Sequence, residues 1–195
     1  MSNSEIPLFP LHAVLFPGGS LPLRIFEARY IDMVGNCMKN GTGFGVCLIR
    51  EGREVGDAAT AYEIGTFARI VDWSLRHDGL LGITAVGGQR FRTIRTNVRQ
   101  NRLVMAEVEF LPDAPAVGVP EHFLPMADLL RRVVAQIGEQ HASAEWNYDD
   151  AGWIGYRLAE LLPLPLDQKQ YLLQLDDPVQ LLESLADMLK YLDIT

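Results

Sequence analysis

The chain has 195 residues, of which 48% are hydrophobic, so it can bury a sizeable core as one domain or as a domain with a helical appendage. Its formal net charge of -8 argues against a protein that holds nucleic acid or an anionic membrane mainly through charge. The sequence has neither a basic leader nor an apolar run of about eighteen residues, which predicts a cytoplasmic protein without a membrane partner. Two cysteines are too few for a disulfide framework, and we expect two free, packed thiols.

The opening segment combines apolar residues with prolines and glycines. Residues 15–30 have the sequence LFPGGSLPLRIFEARY. Because proline cannot donate to a strand ladder, we expect the four prolines from Pro7 to Pro22 to lie at edges and turns of a sheet. Gly18 permits a chain reversal before a strand that runs towards Phe26. Apolar residues at helical spacing then predict a helix from Glu27 to a stop at Asn40-Gly41.

Short runs rich in Val, Ile, Thr and Phe follow the predicted helix. Their lengths and the glycine-rich or polar breaks between them predict five strands, at residues 43–49, 64–73, 80–87, 90–96 and 103–111. Strands at this spacing, without helices between them, indicate an antiparallel sheet that curls into a barrel. The predicted helix would be the one helix embedded in it.

The composition changes at residues 111–121, LPDAPAVGVPE, which predict a linker. We therefore divide the chain into a β-barrel subdomain, residues 1–115, and a helical subdomain, residues 116–195. The fold class predicted is α+β, an antiparallel barrel followed by a helical bundle.

Capping residues predict where the later helices begin. Asp149 or Asp150 precedes an apolar helical pattern. Asp167 and Asp177 each have a glutamine three residues on, which is the spacing of a reciprocal cap, and Pro178 suits the first helical position.

The sequence shows no motif of catalytic chemistry. The glycines of residues 41–45 close a helix and open a strand, which is the reverse of a phosphate-binding loop. No serine lies in a nucleophile elbow, and the histidines and cysteines lack short metal-ligand spacing. We therefore predict no catalytic residue, no metal and no cofactor. A metal site or a hydrolase site assembled from distant parts of the chain stays open as an alternative.

An arginine series suggests the rival function. A basic strand edge beside Phe91 is suited to a phosphate backbone, so an RNA-binding module is the alternative. We favour an exposed outer face with ion pairs to Glu107 and Glu109, because the chain as a whole is acidic. The series comprises Arg90, Arg92, Arg95, Arg99 and Arg102.

Two apolar residues precede a predicted hairpin turn, RHDG, at residues 76–79. Trp73 and Leu75 either fold back on the barrel or form an exposed apolar patch, and the sequence leaves both readings open.

Residues 6–37, IPLFPLHAVLFPGGSLPLRIFEARYIDMVGNC, resemble the N-terminal domain of Lon proteases, in which such a proline-punctuated run opens a domain with a PUA-like barrel. The resemblance continues in residues 64–94, with G-x-x-A-x-I, D-G and G-x-x-R-F-R, and residues 162–189 look like the helical extension of the family. The ATPase and serine-lysine peptidase modules of the protease are not in this sequence. The resemblance thus implies a standalone, non-catalytic form with a PUA-like barrel.

The resemblance also implies what the chain binds. In the protease, this domain helps to recognise unfolded or tagged polypeptides and to assemble the oligomer. We expect binding of such polypeptides or of a partner protein, in protein quality control, with self-association as an open question and nucleic acid disfavoured. The candidate binding residues are Phe16, Leu21, Trp73 and Leu75.

The remaining residues of the motif are expected to be structural. Phe26 would close the barrel end, and Glu27, Arg29 and Tyr30 would hold the helix through an ion pair and a hydroxyl group. The structural set comprises Pro17, Gly18, Arg24, Phe26, Glu27, Arg29 and Tyr30.

Overall fold

The structure is a computed structural model that describes residues 4–54, 59–137 and 146–191. The chain divides into two compact units, Met1–Pro112 and Asp113–Thr195. The strands of the described residues all lie in the first unit, with one α-helix, and the second unit is helical. The chain is therefore an α+β protein with a largely antiparallel sheet, as the sequence predicts.

The described residues of the first unit form seven strands and helix α1, Ala28–Asn40. The strands are β1 Ser4–Leu11, β2 Ser20–Ile25, β3 Phe44–Glu51, β4 Thr60–Ala61, β5 Ile64–Leu75, β6 Leu81–Val98 and β7 Val104–Phe110. In the part of the second unit that the structure describes, a 3₁₀ turn at Glu121–Phe123 precedes four helices. They are α2 Leu124–Ile137, α3 Ala151–Leu161, α4 Leu166–Leu173 and α5 Pro178–Tyr191.

The strand pairings of the first unit return to their starting point. Four antiparallel pairs, β1–β7, β7–β6, β6–β5 and β5–β3, are followed by a parallel pair of β3 with β1. The parallel pair, Leu8–Leu11 against Gly45–Leu48, is the exception to the antiparallel prediction. Strand β2 lies outside this cycle and pairs with β6, while β4 pairs with β3.

Two prolines, Pro7 and Pro10, lie inside strand β1 at positions with a strand neighbour on one side only, as expected for prolines at a sheet edge. The strand changes its partner in the middle: Ser4–Pro7 pairs with β7, whereas Leu8–Leu11, which includes Pro10, pairs with β3. In these pairings each half of the strand has a neighbour on one side, so a proline that lacks an N–H group can be accommodated.

Helix α1 confirms the prediction from helical spacing. Its N-cap is Glu27, and Gly41 follows its last residue in the left-handed conformation, with φ of 63°. The Gly41 N–H group donates to the Cys37 carbonyl, which closes the last turn. The buried face of α1 packs against β1, β2 and β3 in the larger of two apolar clusters of the unit; Tyr30, Met33, Val34 and Cys37 form that face.

The two predicted strands at residues 80–87 and 90–96 are one continuous strand, β6. The glycine pair between them is not a turn. A Cβ atom at Gly87 would lie 2.3 Å from the Phe16 carbonyl oxygen, so only glycine lets the loop before β2 approach the strand this closely. The Gly18 N–H group donates to the Gly87 carbonyl at 2.7 Å, and the Gly87 N–H group donates to the Gly19 carbonyl at 2.9 Å.

Helix caps in the second unit follow the sequence in two of three cases. The Asp150 carboxylate accepts from the Trp153 N–H group at 2.6 Å, and the Asp177 carboxylate accepts from the Val179 N–H group at 2.8 Å. The predicted cap at Asp167 is wrong, because α4 begins directly after Pro165 and Asp167 lies within its first turn. Proline at this point fixes the entry to the helix two residues earlier.

We predict that Gly87→Ala lowers the free energy of unfolding by about 2 kcal/mol or more, because the added methyl group meets a backbone oxygen that cannot move without displacing the loop. Urea unfolding followed by circular dichroism measures the change. The control is Gly35→Ala in α1, where a Cβ atom meets nothing within 4 Å and alanine is expected to stabilise the helix by about 0.5–1 kcal/mol. Equal stability of the two variants would contradict the close approach.

Candidate functional site

Arg29 ties the start of helix α1 to the hairpin between β6 and β7. Its side chain is 6% exposed, with the guanidinium 3.0 Å from the Glu27 carboxylate. A guanidinium N–H group also donates to the Arg102 carbonyl at 3.0 Å. The backbone of Arg102 has the left-handed conformation, with φ of 66°, and lies in the β6–β7 turn. The expected ion pair is present, and it belongs to a contact that holds a strained turn.

The aromatic ring of Tyr30 contacts the sheet. The ring stacks on Phe9 of β1 with a centroid distance of 4.0 Å, and burial raises the pKa of the Tyr30 hydroxyl. The side chain therefore joins α1 to the sheet as a core aromatic residue rather than as an exposed binding residue.

The other residues of the opening motif have different surroundings. Pro17 and Gly18 form the turn that docks on Gly87, and Gly18 has a φ of 71°. Phe26 is 54% exposed, so it does not close the end of a barrel as expected. It directly follows Ile25, which is buried, and successive residues of an extended chain point to opposite sides.

Arg24 holds β2 against the tip of the β5–β6 hairpin. Its guanidinium pairs with the Asp78 carboxylate, which also accepts from the Leu80 N–H group at 3.0 Å. The Leu80 hydrogen bond, followed by the charges of Arg24 and Arg76, lowers the pKa of Asp78. The ion pair therefore joins the β5–β6 hairpin turn to strand β2.

The four candidate binding residues do not form one surface. Phe16 is 0% exposed, which corrects the expectation that it binds a partner, because docking of its loop on Gly87 turns the side chain into the core. Leu21 is partly buried against the larger apolar cluster. Trp73 and Leu75 are 57% and 73% exposed, so of the two readings left open by the sequence the structure has the exposed patch.

Trp73 and Leu75 extend an apolar sheet face beyond its covered part. In the strand register, Trp73 lies beside Ile83 and Leu75 lies beside Leu81, and side chains opposite each other share one face. Ile83 is buried in the core, while Leu81 is partly buried against it. We call the pair Trp73 and Leu75 the apolar tip.

The backbone beside the apolar tip is a free sheet edge. Strand β3 pairs with β5 at Thr66–Ala68, and in the described structure residues 69–75 pair with β6 alone. The Arg76 N–H group donates to the Leu80 carbonyl at 2.9 Å, so by antiparallel alternation the backbone groups of Leu75 and Trp73 point away from β6. The Trp73 N–H group donates to the Asp72 carboxylate at 2.8 Å.

A β-bulge decides which face carries the apolar tip. The register shifts by one residue between Ile70 and Asp72, so Val71 is the extra residue of β5. Ile70 packs on the core cluster, and after the bulge the odd-numbered Trp73 takes the core-facing side. The sequence signal for this surface is the alternation W-S-L before a turn, but the bulge has no signature of its own.

The arginine series differs from the expected solvated face at one position. Arg95 pairs with Glu107, and Arg99 lies 3.7 Å from Glu5, as an ion-paired outer face requires. Arg90 is 4% exposed, although Phe91 next to it is also buried. The strand register shifts opposite Thr66–Ala68, so β6 does not keep a simple alternation of exposed and buried side chains at this point.

The two thiols are free and packed, as predicted. Burial raises the pKa of Cys47 to about 12, and burial also raises the pKa of Cys37, whose thiol donates to the Gly43 carbonyl. Neither is poised as a thiolate nucleophile. Among the described residues, no group of three or more His, Cys, Asp or Glu side chains is arranged to bind a metal ion. The helices within the described ranges are all too short or too polar to cross a membrane.

These features describe a small α+β protein whose sheet has an edge with exposed apolar side chains. A family model described as the ATP-dependent protease La (LON) substrate-binding domain matches residues 5–191. The chain belongs to this family.

Individual relatives agree with the family. A crystal structure of a Lon N-terminal domain protein from Xanthomonas campestris is 39% identical, with a TM-score of 0.80, and the match covers 94% of this chain and 98% of that one. The Lon protease of Anaeromyxobacter dehalogenans is 26% identical over 178 residues, which are 87% of this chain and 21% of that protein. The chain thus spans about a fifth of the length of such proteases. Protein cereblon of Danio rerio is 30% identical over 118 residues, 57% of this chain and 26% of that protein.

We predict that Arg29→Met lowers the free energy of unfolding by about 2 kcal/mol, since it leaves the Glu27 carboxylate and the Arg102 carbonyl without their buried cation. Urea unfolding measures the loss, and Arg92→Met, at an exposed strand position, is the control with an expected change below about 0.5 kcal/mol. A loss at Arg29 no larger than that of the control would show that the contact does not hold the hairpin.

Proposed function

We propose that the chain binds extended segments of unfolded polypeptide, without changing their covalent bonds, at the free edge of β5 and the apolar tip. The observation that carries the proposal is the coincidence of two features in residues 69–75: a strand edge that pairs with β6 alone in the described structure, and two large apolar side chains, 57% and 73% exposed. Membership of a substrate-binding domain family supports the same conclusion.

An extended polypeptide suits this edge for two physical reasons. The outward backbone groups of Trp73 and Leu75 can pair with the main chain of an added strand, which makes binding tolerant of sequence. Alternate side chains of that strand would then contact the apolar tip. The seven residues 69–75 span roughly 23 Å at about 3.3 Å per residue, enough for a short extended segment.

Asp72 limits unwanted pairing of the same edge. Its carboxylate accepts from the Trp73 N–H group, which would otherwise be available to another strand. A bound polypeptide must replace this carboxylate with its own carbonyl, so weak or accidental partners are disfavoured. The bulge at Val71 adds to this protection.

Several finer statements belong to the proposal. The cycle of strand pairings supports a closed, PUA-like barrel in residues 1–115, and the four helices support a bundle in residues 116–195. We infer a non-catalytic role in protein quality control in the cytoplasm; the two buried thiols with raised pKa values support the non-catalytic part. The activity of whole Lon proteases is not inferred for this chain.

The rival RNA-binding function has less support from the arginine series. Arg90 is buried, and the charges of Arg95 and Arg99 face Glu107 and Glu5. A cation that already pairs with a carboxylate releases fewer counterions when it meets a phosphate.

The test measures binding of a fluorescently labelled, permanently unfolded protein whose cysteines have been reduced and carboxymethylated. We expect the double variant Trp73→Ser/Leu75→Ser to bind about tenfold more weakly than the unchanged chain, because it loses the apolar contact of two exposed side chains. Fluorescence anisotropy gives the dissociation constants.

The matched control is the double variant Ile94→Ser/Val98→Ser, which removes two apolar side chains that are 51% and 50% exposed on β6, outside the apolar tip. It is expected to bind within about twofold of the unchanged chain. Equal affinity of both double variants would overturn the proposed surface. Tight, salt-dependent binding of a structured RNA, with no binding of the unfolded protein, would favour the rival function.

A further inference from the structure

A second apolar surface lies on the face of β5 opposite the apolar tip, which we call the outer face; Phe67 and Phe110 are partly buried there against an apolar cluster around Phe91. It is an open cleft of about 490 Å³ beside the bend of β6. Phe67 of β5 and Phe110 of β7 form one wall and contact each other edge to face, with ring centroids 5.6 Å apart. Val71 and Val86 line the cleft as well, and the absence of a side chain at Gly88 leaves it open. We call this the Phe67–Phe110 cleft.

The cleft carries one cation. Arg69 lines it and is exposed, and among the described residues no carboxylate pairs with its guanidinium. This contrasts with Arg24, Arg95 and Arg99, each of which faces an acidic side chain. In an acidic chain, an arginine left unpaired beside apolar walls is suited to an anionic group on an apolar ligand.

The cleft also carries an oriented acceptor. The Gln89 side-chain amide donates from Nε2 to the Leu111 carbonyl at 2.8 Å, which fixes the amide plane. Its Oε1 atom is then available to accept a hydrogen bond from a ligand N–H group. Apolar walls, a cation and an N–H acceptor together match one residue that has an apolar side chain, a carboxylate and a backbone amide.

We propose that the Phe67–Phe110 cleft binds the carboxyl-terminal residue of a polypeptide whose last side chain is apolar. The side chain packs on the wall formed by Phe67 and Phe110, Arg69 binds the terminal carboxylate, and Gln89 accepts from the terminal amide N–H group. A fatty acid shares the apolar chain and the carboxylate but has no N–H group for Gln89. The proposal rests on polypeptide binding as the function of the chain and adds the chain end as the recognised feature.

The test compares two labelled synthetic octapeptides of polar residues that end in phenylalanine, one with a free carboxylate and one with a carboxamide. We expect the unchanged chain to bind the free acid about tenfold more tightly in fluorescence anisotropy, as a charge-assisted contact requires. Arg69→Gln should bring this ratio to about one. Arg92→Gln removes the same charge from an exposed strand position that does not line the cleft, and should keep the ratio.

A second variant tests the cleft without touching the charge. A Cβ atom at Gly88 meets only the Phe67 carbonyl, at 3.4 Å, so Gly88→Val is expected to fold and to occupy the cleft. It should weaken the free acid peptide several-fold while Arg69 is intact. Unfolding midpoints close to that of the unchanged chain establish that both variants are folded.

The outcomes separate this inference from the proposed function. Equal affinity for acid and amide, together with weaker binding by the Trp73→Ser/Leu75→Ser variant, would overturn the chain-end site and leave the proposed function standing. If decanoic acid displaced the labelled free-acid peptide as effectively as the unlabelled peptide does, the choice of a polypeptide end as the ligand would be overturned. Binding of neither octapeptide nor unfolded protein would overturn both proposals.

Discussion

The missing side chain at Gly87 is the constraint on which the rest of the first unit depends. Because no Cβ atom stands in the way, the Phe16 carbonyl approaches β6, and Gly18 and Gly19 form two backbone hydrogen bonds with Gly87. These bonds place Ser20, the first residue of β2, opposite Val86, and this sets the register of β2 as far as Ile25. The position of β2 beside the β5–β6 hairpin, and so the setting of the apolar tip, is a consequence of this contact.

Arg29 extends the same framework to the other end of the motif. The loop docked on Gly87 sets the register of β2 as far as Ile25. After β2, Arg29 joins the start of α1 to the turn in which Arg102 has the left-handed conformation. Tyr30 adds the stack on Phe9. The long motif from the first prolines to Tyr30 is thus buried or hydrogen-bonded into the sheet along much of its length. This explains why the most specific sequence signature of the chain lies apart from the surface we propose for binding.

The predictions from sequence succeeded where local chemistry decides the structure. Helical spacing and Gly41 predict α1, and the apolar runs predict β3, β5 and β7, because each depends on near neighbours. The glycine pair at Gly87 misled the prediction, since a hairpin turn and a close backbone approach both require glycine. The burial of Phe16 also follows from this close approach, which the sequence does not predict. The free edge of β5 cannot be predicted from local sequence, because it depends on where the pairing with the distant strand β3 ends.

The bulge at Val71 gives one strand two different surfaces. Before the bulge, Phe67 and Arg69 point to the outer face, where Phe67 packs on the cluster around Phe91, while Ala68 and Ile70 point to the larger apolar cluster. A regular strand would continue this alternation and would place Trp73 and Leu75 on the outer face beside Arg69. The extra residue reverses it, so the apolar tip continues the core-facing side and the Phe67–Phe110 cleft stays on the other. A polypeptide whose end lies in the cleft and whose preceding residues follow the free edge would therefore contact both faces of β5, and the one-residue insertion makes that arrangement available.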